Sequence, residues 1–186
     1  MQNNPLLSMV FLRPFIANLL DGSAPLPVKI LEFAVDLKPQ AEKRHAWGQG
    51  HAYTHADTRA RRRELSIIAR AGINPRIPLP VTGPVAVFTR YEFERPKSNK
   101  SPFELHTDKP DTDNLDKMTW DSLSKAGIWK DDAQVSGNIS EKVWVPHGQQ
   151  SRIIVAVFAL DGDVADHVPV THSRYDCVDD RQLTLF

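Results

Sequence analysis

Six aspartates crowd one stretch of the chain, Lys109 to Val135, which reads KPDTDNLDKMTWDSLSKAGIWKDDAQV. They are Asp111, Asp113, Asp116, Asp121, Asp131 and Asp132, with Lys117 among them. Carboxylates this close raise one another's pKa unless a cation neutralises the group. Oxygen donors with no cysteine nearby suit a hard divalent cation, Mg2+ or Mn2+.

The elements around these residues must give the cluster its shape. Asp111-Thr-Asp113 follows Pro110 and opens a helical pattern, since aspartate is a good N-cap and favours the positive end of a helix dipole. Leu115, Met118, Ser122 and Ala126 recur at helical spacing and form the inward face. Asp113, Lys117 and Asp121 lie four apart and stack on a neighbouring face. Gly127 stands where a C-terminal glycine cap belongs. A helix of this length is about 20 Å long, so Asp132 reaches Asp111 and Asp113 only if the chain folds back along it.

The run Asp-x-Asp-Asn-Leu-x-Lys from Asp111 to Lys117, followed by Asp121-Ser-Leu123 and Lys125-Ala-Gly127-x-Trp129-x-Asp131-Asp132-Ala-Gln134-Val135, resembles the RusA-type Holliday junction resolvases. These are small, dimeric, metal-dependent endonucleases of bacteria and their prophages. The resemblance implies metal-binding carboxylates at Asp111, Asp113 and Asp132 and an essential lysine at Lys117. It also implies a two-fold dimer, branched DNA as substrate and Mg2+ as cofactor, with Mn2+ as a substitute.

Charge is distributed to match. The net charge is zero over 186 residues, yet residues 38–100 hold 13 Lys and Arg against 5 Asp and Glu, and residues 101–186 hold 8 against 15. A basic half beside an acidic metal site suits a nuclease, one part drawing in phosphates and the other holding the cation that cuts them. Cys177 is the one cysteine, so no intrachain disulfide can form and a reducing cytoplasm is expected. No apolar run is long enough to span a bilayer, and the apolar start lacks a basic leader, so neither a membrane partner nor a secretory signal is expected.

The pattern predicts an N-terminal extension over 1–27 with a helix across 6–20, a nuclease domain over 28–160 and a flexible acidic tail over 161–186. Within the domain, strands are expected over 28–37, 85–93, 138–145 and 152–160, the last central because it is nearly all apolar. Helices are expected from Asp57 to about Ala71 and from Asp111 to Gly127. The fold class is α+β, a small mixed sheet carrying two main helices. Residues 38–55 read as a loop. The resemblance places a basic loop there, matched by Lys43 and Arg44 ahead of Tyr53-Thr54. On a helical wheel Arg59, Arg62, Arg63, Ser66 and Arg70 share one face, which reads as a rail for phosphates. His51 and His55, four apart, could bind a metal but, with no carboxylate motif nearby, read as polar loop residues or phosphate contacts.

The chain ends Gln182-Leu183-Thr184-Leu185-Phe186, which resembles the short peptide with which bacterial repair proteins grip the sliding clamp. Gln182 would hydrogen-bond, and Leu183, Leu185 and Phe186 would anchor in an apolar groove. The function read from all of this is symmetric hydrolysis of phosphodiesters in Holliday junctions during recombination and repair. The alternative is a non-catalytic junction-binding adaptor recruited to the clamp. Calcium loops of the EF-hand type are excluded because Leu115 stands where a ligand is needed.

Overall fold

The computed structural model describes residues 27–42, 46–48, 51–100 and 104–160, with the side chains of 46–48 and 51–53 excepted. The helix expected over 6–20, the basic pair Lys43 and Arg44, and the tail with Gln182, Leu183, Leu185 and Phe186 lie outside these residues.

Strand β1 spans Val28–Val35. Two three-residue strands follow, β2 at Ala46–Gly48 and β3 at His51–Tyr53, paired antiparallel. That hairpin stands where the sequence reads as loop, because three residues are too few for an alternating pattern to register. Helix α1 runs Ala56–Ala71, strand β4 Val85–Glu94 and helix α2 Thr112–Ala126. A 3-10 turn at Asp132–Gln134 leads into β5, Val135–Val145, and β6 spans Arg152–Ala159. The four long strands form one mixed sheet in the order β1-β6-β4-β5, with β4 and β5 parallel and the other two pairs antiparallel. This is the expected α+β arrangement, and the strongly apolar β6 is an interior strand as its composition predicts.

Alternation along the strands decides what the helices cover. Val85, Val87, Tyr91 and Phe93 of β4 join Ile153, Val155, Val157 and Ala159 of β6 in the core, against Leu65 and Ala69 of α1 and Leu115, Met118, Leu123 and Ala126 of α2. The inward face predicted for α2 is therefore correct at all four positions, each buried. Gly127 ends α2 in the left-handed region at φ 77°, a conformation that costs an L-residue roughly 1 kcal/mol or more. Gly72 ends α1 where a Cβ would lie 2.9 Å from the Glu32 carbonyl oxygen, so the helix passes β1 only because that position has no side chain. On the opposite sheet face Glu92 is buried and accepts from both Arg90 (3.1 Å) and Arg152 (2.8 Å).

Two details of α1 depart from the sequence reading. Its N-cap is His55, and Asp57 sits within the first turn. Ser66, placed with the arginines on the wheel, is buried and donates to the Arg63 carbonyl at 2.8 Å, whereas Ile67 is 58% exposed. The helix packs against both α2 and β1, so its covered stripe (Thr58, Leu65, Ser66, Ala69) is set by two neighbours, and a small hydroxyl side chain lets them approach. No helix among the described residues is long and apolar enough to cross a membrane.

Candidate active site

Helix α2 begins at a rigidly placed loop. The Lys109–Pro110 peptide is cis. Lys142 reaches across from β5 and donates to the carbonyls of Asp108 (2.8 Å) and Pro110 (2.7 Å). Asp111 is the N-cap in extended geometry (φ −70°, ψ 147°), and its side chain makes no capping hydrogen bond. The carboxylate is thereby left for another task, one residue from the positive end of the helix dipole. Asp113, in the first turn, is exposed and accepts from Asn114 Nδ2 at 3.3 Å. Lys117, one turn further on the same face, is also exposed.

Asp121, the third member of that face, is held elsewhere. Its Oδ2 lies 2.6 Å from Arg62, which also pairs with Glu42 at 2.6 Å. Lys117, one turn before Asp121 on the same face, reaches it and Glu42 only as a neighbouring charge. One guanidinium shared by two carboxylates splits them, and the pair titrates as a unit. Burial pushes Glu42 up, but Arg62's hydrogen bond and charge outweigh that and its pKa falls below the ordinary value. Burial raises Asp121, the Arg62 charge opposes, and the Glu42 carboxylate keeps the net shift upward.

Beneath the exposed face sits a residue whose role the sequence does not announce. Asp116 is buried and accepts from Tyr91 Oη at 2.9 Å, Asn138 Nδ2 at 2.9 Å and Ser140 Oγ at 2.7 Å. Thr119 Oγ1 lies 3.0 Å from the same tyrosine hydroxyl. Desolvation raises the Asp116 pKa; the donors from Ser140, Tyr91 and Asn138 oppose it, and the Asp113 charge adds to it. The available signal was Asp116 sharing a helical stripe with Thr119 and Leu123, at i, i+3 and i+7, all three of which are buried.

After Gly127 the chain turns through Asp131 and Asp132. Asp131 Oδ1 accepts from the Ala133 amide at 2.8 Å, and Gln134 Oε1 accepts from the amides of Lys130 (3.0 Å) and Asp131 (3.3 Å). This reciprocal cap assigns Asp131 to shaping the turn. Gln134 Nε2 pins it to the carbonyls of Val81 (3.0 Å) and Gly83 (2.9 Å). Asp132 is left exposed as the first residue of the turn.

Strand β5 then runs back beside α2, meeting Asp116 through Asn138 and Ser140 and the loop ahead of Asp111 through Lys142. Seven strand residues, about 23 Å at the rise of a β-strand, separate its start near Asp132 from Lys142. Asp111 and Asp113 thus share one helix end, and Asp132 enters at the other end of β5. Among the described residues no three His, Cys, Asp or Glu side chains are grouped as metal ligands. The Asp111–Asp113 pair fits Mg2+ by its donors, since that ion is commonly held by one or two carboxylates, with waters and substrate phosphate completing the shell.

The arginine face of α1 is partly committed within the fold. Arg59 donates to the Thr54 carbonyl, Arg62 holds Glu42 and Asp121, and Arg70 Nε donates to the Ala126 carbonyl at 3.1 Å. Arg59, Arg63 and Arg70 are nevertheless solvent-exposed.

A family described as Endodeoxyribonuclease RusA matches residues 36–157, from just past β1 to near the end of β6. No curated protein matches the chain. With well over half its length matched, and with α2, the turn at Asp132 and β5 inside the matched span, the chain belongs to the RusA endodeoxyribonuclease family, a membership that implies a Holliday-junction-resolving endonuclease.

Proposed function

We propose that this chain is a metal-dependent, structure-selective endonuclease that resolves four-way DNA junctions as a two-fold dimer. The observation that carries the reading is the start of α2. Asp111 is an N-cap whose carboxylate does no capping, Asp113 is exposed two residues further on in the first turn, and Lys142 fixes the approach to both. Asp111 and Asp113 would hold Mg2+, for which Mn2+ can substitute; Asp132, which the same chain places at the other end of β5, would join that ion as the third carboxylate only from the second protomer of the dimer. When bound, the metal supplies an activated water and stabilises the leaving oxygen. Lys117 neutralises charge that develops on the phosphate in the transition state. Arg59, Arg63 and Arg70, with Lys43 and Arg44, contact the DNA backbone and position it. Two cuts placed symmetrically about a four-way branch require two active sites, hence the dimer.

Asp113→Asn tests the assignment. Junction cutting should fall by about a hundredfold or more, as for loss of a group that acts on the transition state, with junction binding retained. The rival reading, a junction-binding adaptor, draws on the separation of Asp132 from the α2 pair. It requires that the unsubstituted protein bind junctions and cut none. The terminal Gln182, Leu183, Leu185 and Phe186 are assigned to the sliding clamp. Deleting 182–186 should abolish clamp pull-down and leave cutting intact, and undiminished clamp binding would refute that assignment.

A further inference from the structure

A cleft of about 480 Å³ opens beside the loop that leads into α2. That volume falls within the roughly 300–1,000 Å³ of small-ligand sites. Trp144, Leu105 and Pro96 supply apolar walls, and Asn99, Thr107 and Asp108 supply polar ones. Leu105 is 62% exposed among the described residues. Trp144 is fixed in orientation: His106 stacks on it at 4.0 Å between ring centres, and Phe93 lies 4.2 Å from His106 on the strand behind. A stack of three rings therefore ends at the cleft. Lys97 and Lys100, both exposed, flank the Ser98-Asn99 wall.

We infer that this cleft receives one unpaired nucleobase of the DNA strand that runs through the active site. The inference rests on the nuclease reading and adds to it a base-holding pocket. Three observations converge on a base rather than another ligand. The wall that ends in Trp144 offers a planar ring a stacking partner, which every base accepts. Thr107 and Asp108 on the polar wall carry side chains able to hydrogen-bond a base edge. The two lysines offer cations to the phosphates on either side of a nucleotide.

Continuity with the catalytic helix supports the same occupant. Asp108 lines the cleft and precedes Asp111 by three residues, at most about 11 Å of chain. Lys142 clamps that segment through the Asp108 and Pro110 carbonyls. Eleven ångströms is roughly three nucleotide rises of 3.4 Å. The captured base thus lies within about three nucleotides of the phosphate at Asp111, where a branched junction can supply unstacked bases and a continuous duplex cannot. The cleft then contributes to choosing where near a branch the strand is cut.

The test places 2-aminopurine, one position at a time, within three nucleotides of the cut in a four-way junction, and reads fluorescence on binding in EDTA. The full-length protein should quench one position selectively. Trp144→Ala removes the stacking wall but also packing behind it, so Leu105→Ala, at an exposed position, is the variant to compare. It should melt like the parent, lose at least half of the quench and bind the junction about fivefold more weakly, the low end of what one stacked base contributes. An abasic site at the quenched position should weaken binding of the parent and leave Leu105→Ala nearly unaffected. Site-selective quenching without cutting in Mg2+ would leave the pocket standing and refute the nuclease reading. Cutting at the branch with no quenched position, or with equal quenching by Leu105→Ala, would overturn the pocket alone. Failure to bind branched DNA at all would overturn both.

Discussion

The Tyr91 hydroxyl donates to Asp116 Oδ1 at 2.9 Å, joining the middle of β4 to the first half of α2 beneath the aspartates on its outer face. Both groups are buried, and both have raised pKa values: Tyr91 through burial and then the Asp116 charge, Asp116 chiefly through burial. The bond fixes the rotation of α2 about its own axis, and with it the direction of Asp113 and Lys117.

Removing one donor should expose that dependence. Tyr91→Phe leaves the Asp116 carboxylate with its Asn138 and Ser140 partners alone and should cost about 1–3 kcal/mol, measured by urea unfolding. Tyr91→Phe should also slow junction cutting more than it weakens junction binding, because the aspartates shift relative to the phosphate. Unchanged stability would contradict a structural role for the Tyr91–Asp116 bond.

The pH dependence of Asp116 has a definite sign. Its pKa is raised in the folded state above the ordinary 3.8, so the native protein holds this proton more tightly than the unfolded chain does. The contribution is fully present below pH 3.8 and is lost as pH rises through the raised value. The stability of the parent relative to Asp116→Asn should therefore decline from acid toward neutral pH, read from urea curves at a series of pH values. A difference that grows with pH would contradict the assignment.

Histidine 106 carries the opposite slope. Burial, then the Lys142 charge, holds its pKa below the ordinary 6.5. Its contribution is present above pH 6.5 and is lost as pH falls through the depressed value. His106→Gln should flatten the fall in stability between neutral pH and pH 5. An equally steep fall in the variant would place the titration elsewhere.

The arginines of α1 separate into two kinds. Arg62→Ala leaves Glu42, almost fully covered, facing Asp121 without a cation. Because Arg62 itself is partly exposed, the expected loss is about 2 kcal/mol, below the 3–5 kcal/mol of a fully buried pair. Arg63→Ala should leave the melting temperature alone and reduce the slope of log binding constant against log salt by about one. Equal effects of the two substitutions on that slope would restore Arg62 to the phosphate rail.

Much of this arrangement is legible in the sequence. Helix α2, its inward face, its glycine stop and the interior β6 follow from periodicity and composition, because α2 keeps one covered stripe over its whole length and β6 is apolar along nearly all of its length. The wheel of α1 misleads at Ser66 because two neighbours, α2 and β1, define its covered side. The Arg62 ion pairs span 20 and 59 residues of sequence, and Asp116 meets its strand partners across 22 to 25; no local pattern encodes which strand a polar side chain will face. The hairpin at Ala46–Tyr53 is too short to show a period.

Lys142 offers a further check on how the active-site loop is held. Its ammonium group is bonded to two backbone carbonyls ahead of Asp111, and hydrogen bonds from a charged donor contribute about 1.5–3 kcal/mol each. Lys142→Met should loosen that loop, cutting junctions at least tenfold more slowly with nearly unchanged junction affinity. A loss of affinity with undiminished turnover would make Lys142 a phosphate contact instead.

The central claim is that α2 presents a metal-dependent, junction-selective cutting site. Cleavage of a synthetic four-way junction, compared with a linear duplex of the same sequence in Mg2+ or in EDTA, tests it most directly. Paired, symmetric nicks in the junction alone, abolished by EDTA, are the predicted result. Tight junction binding with no nicks in Mg2+ or Mn2+, or equal cutting of the linear duplex, would contradict it.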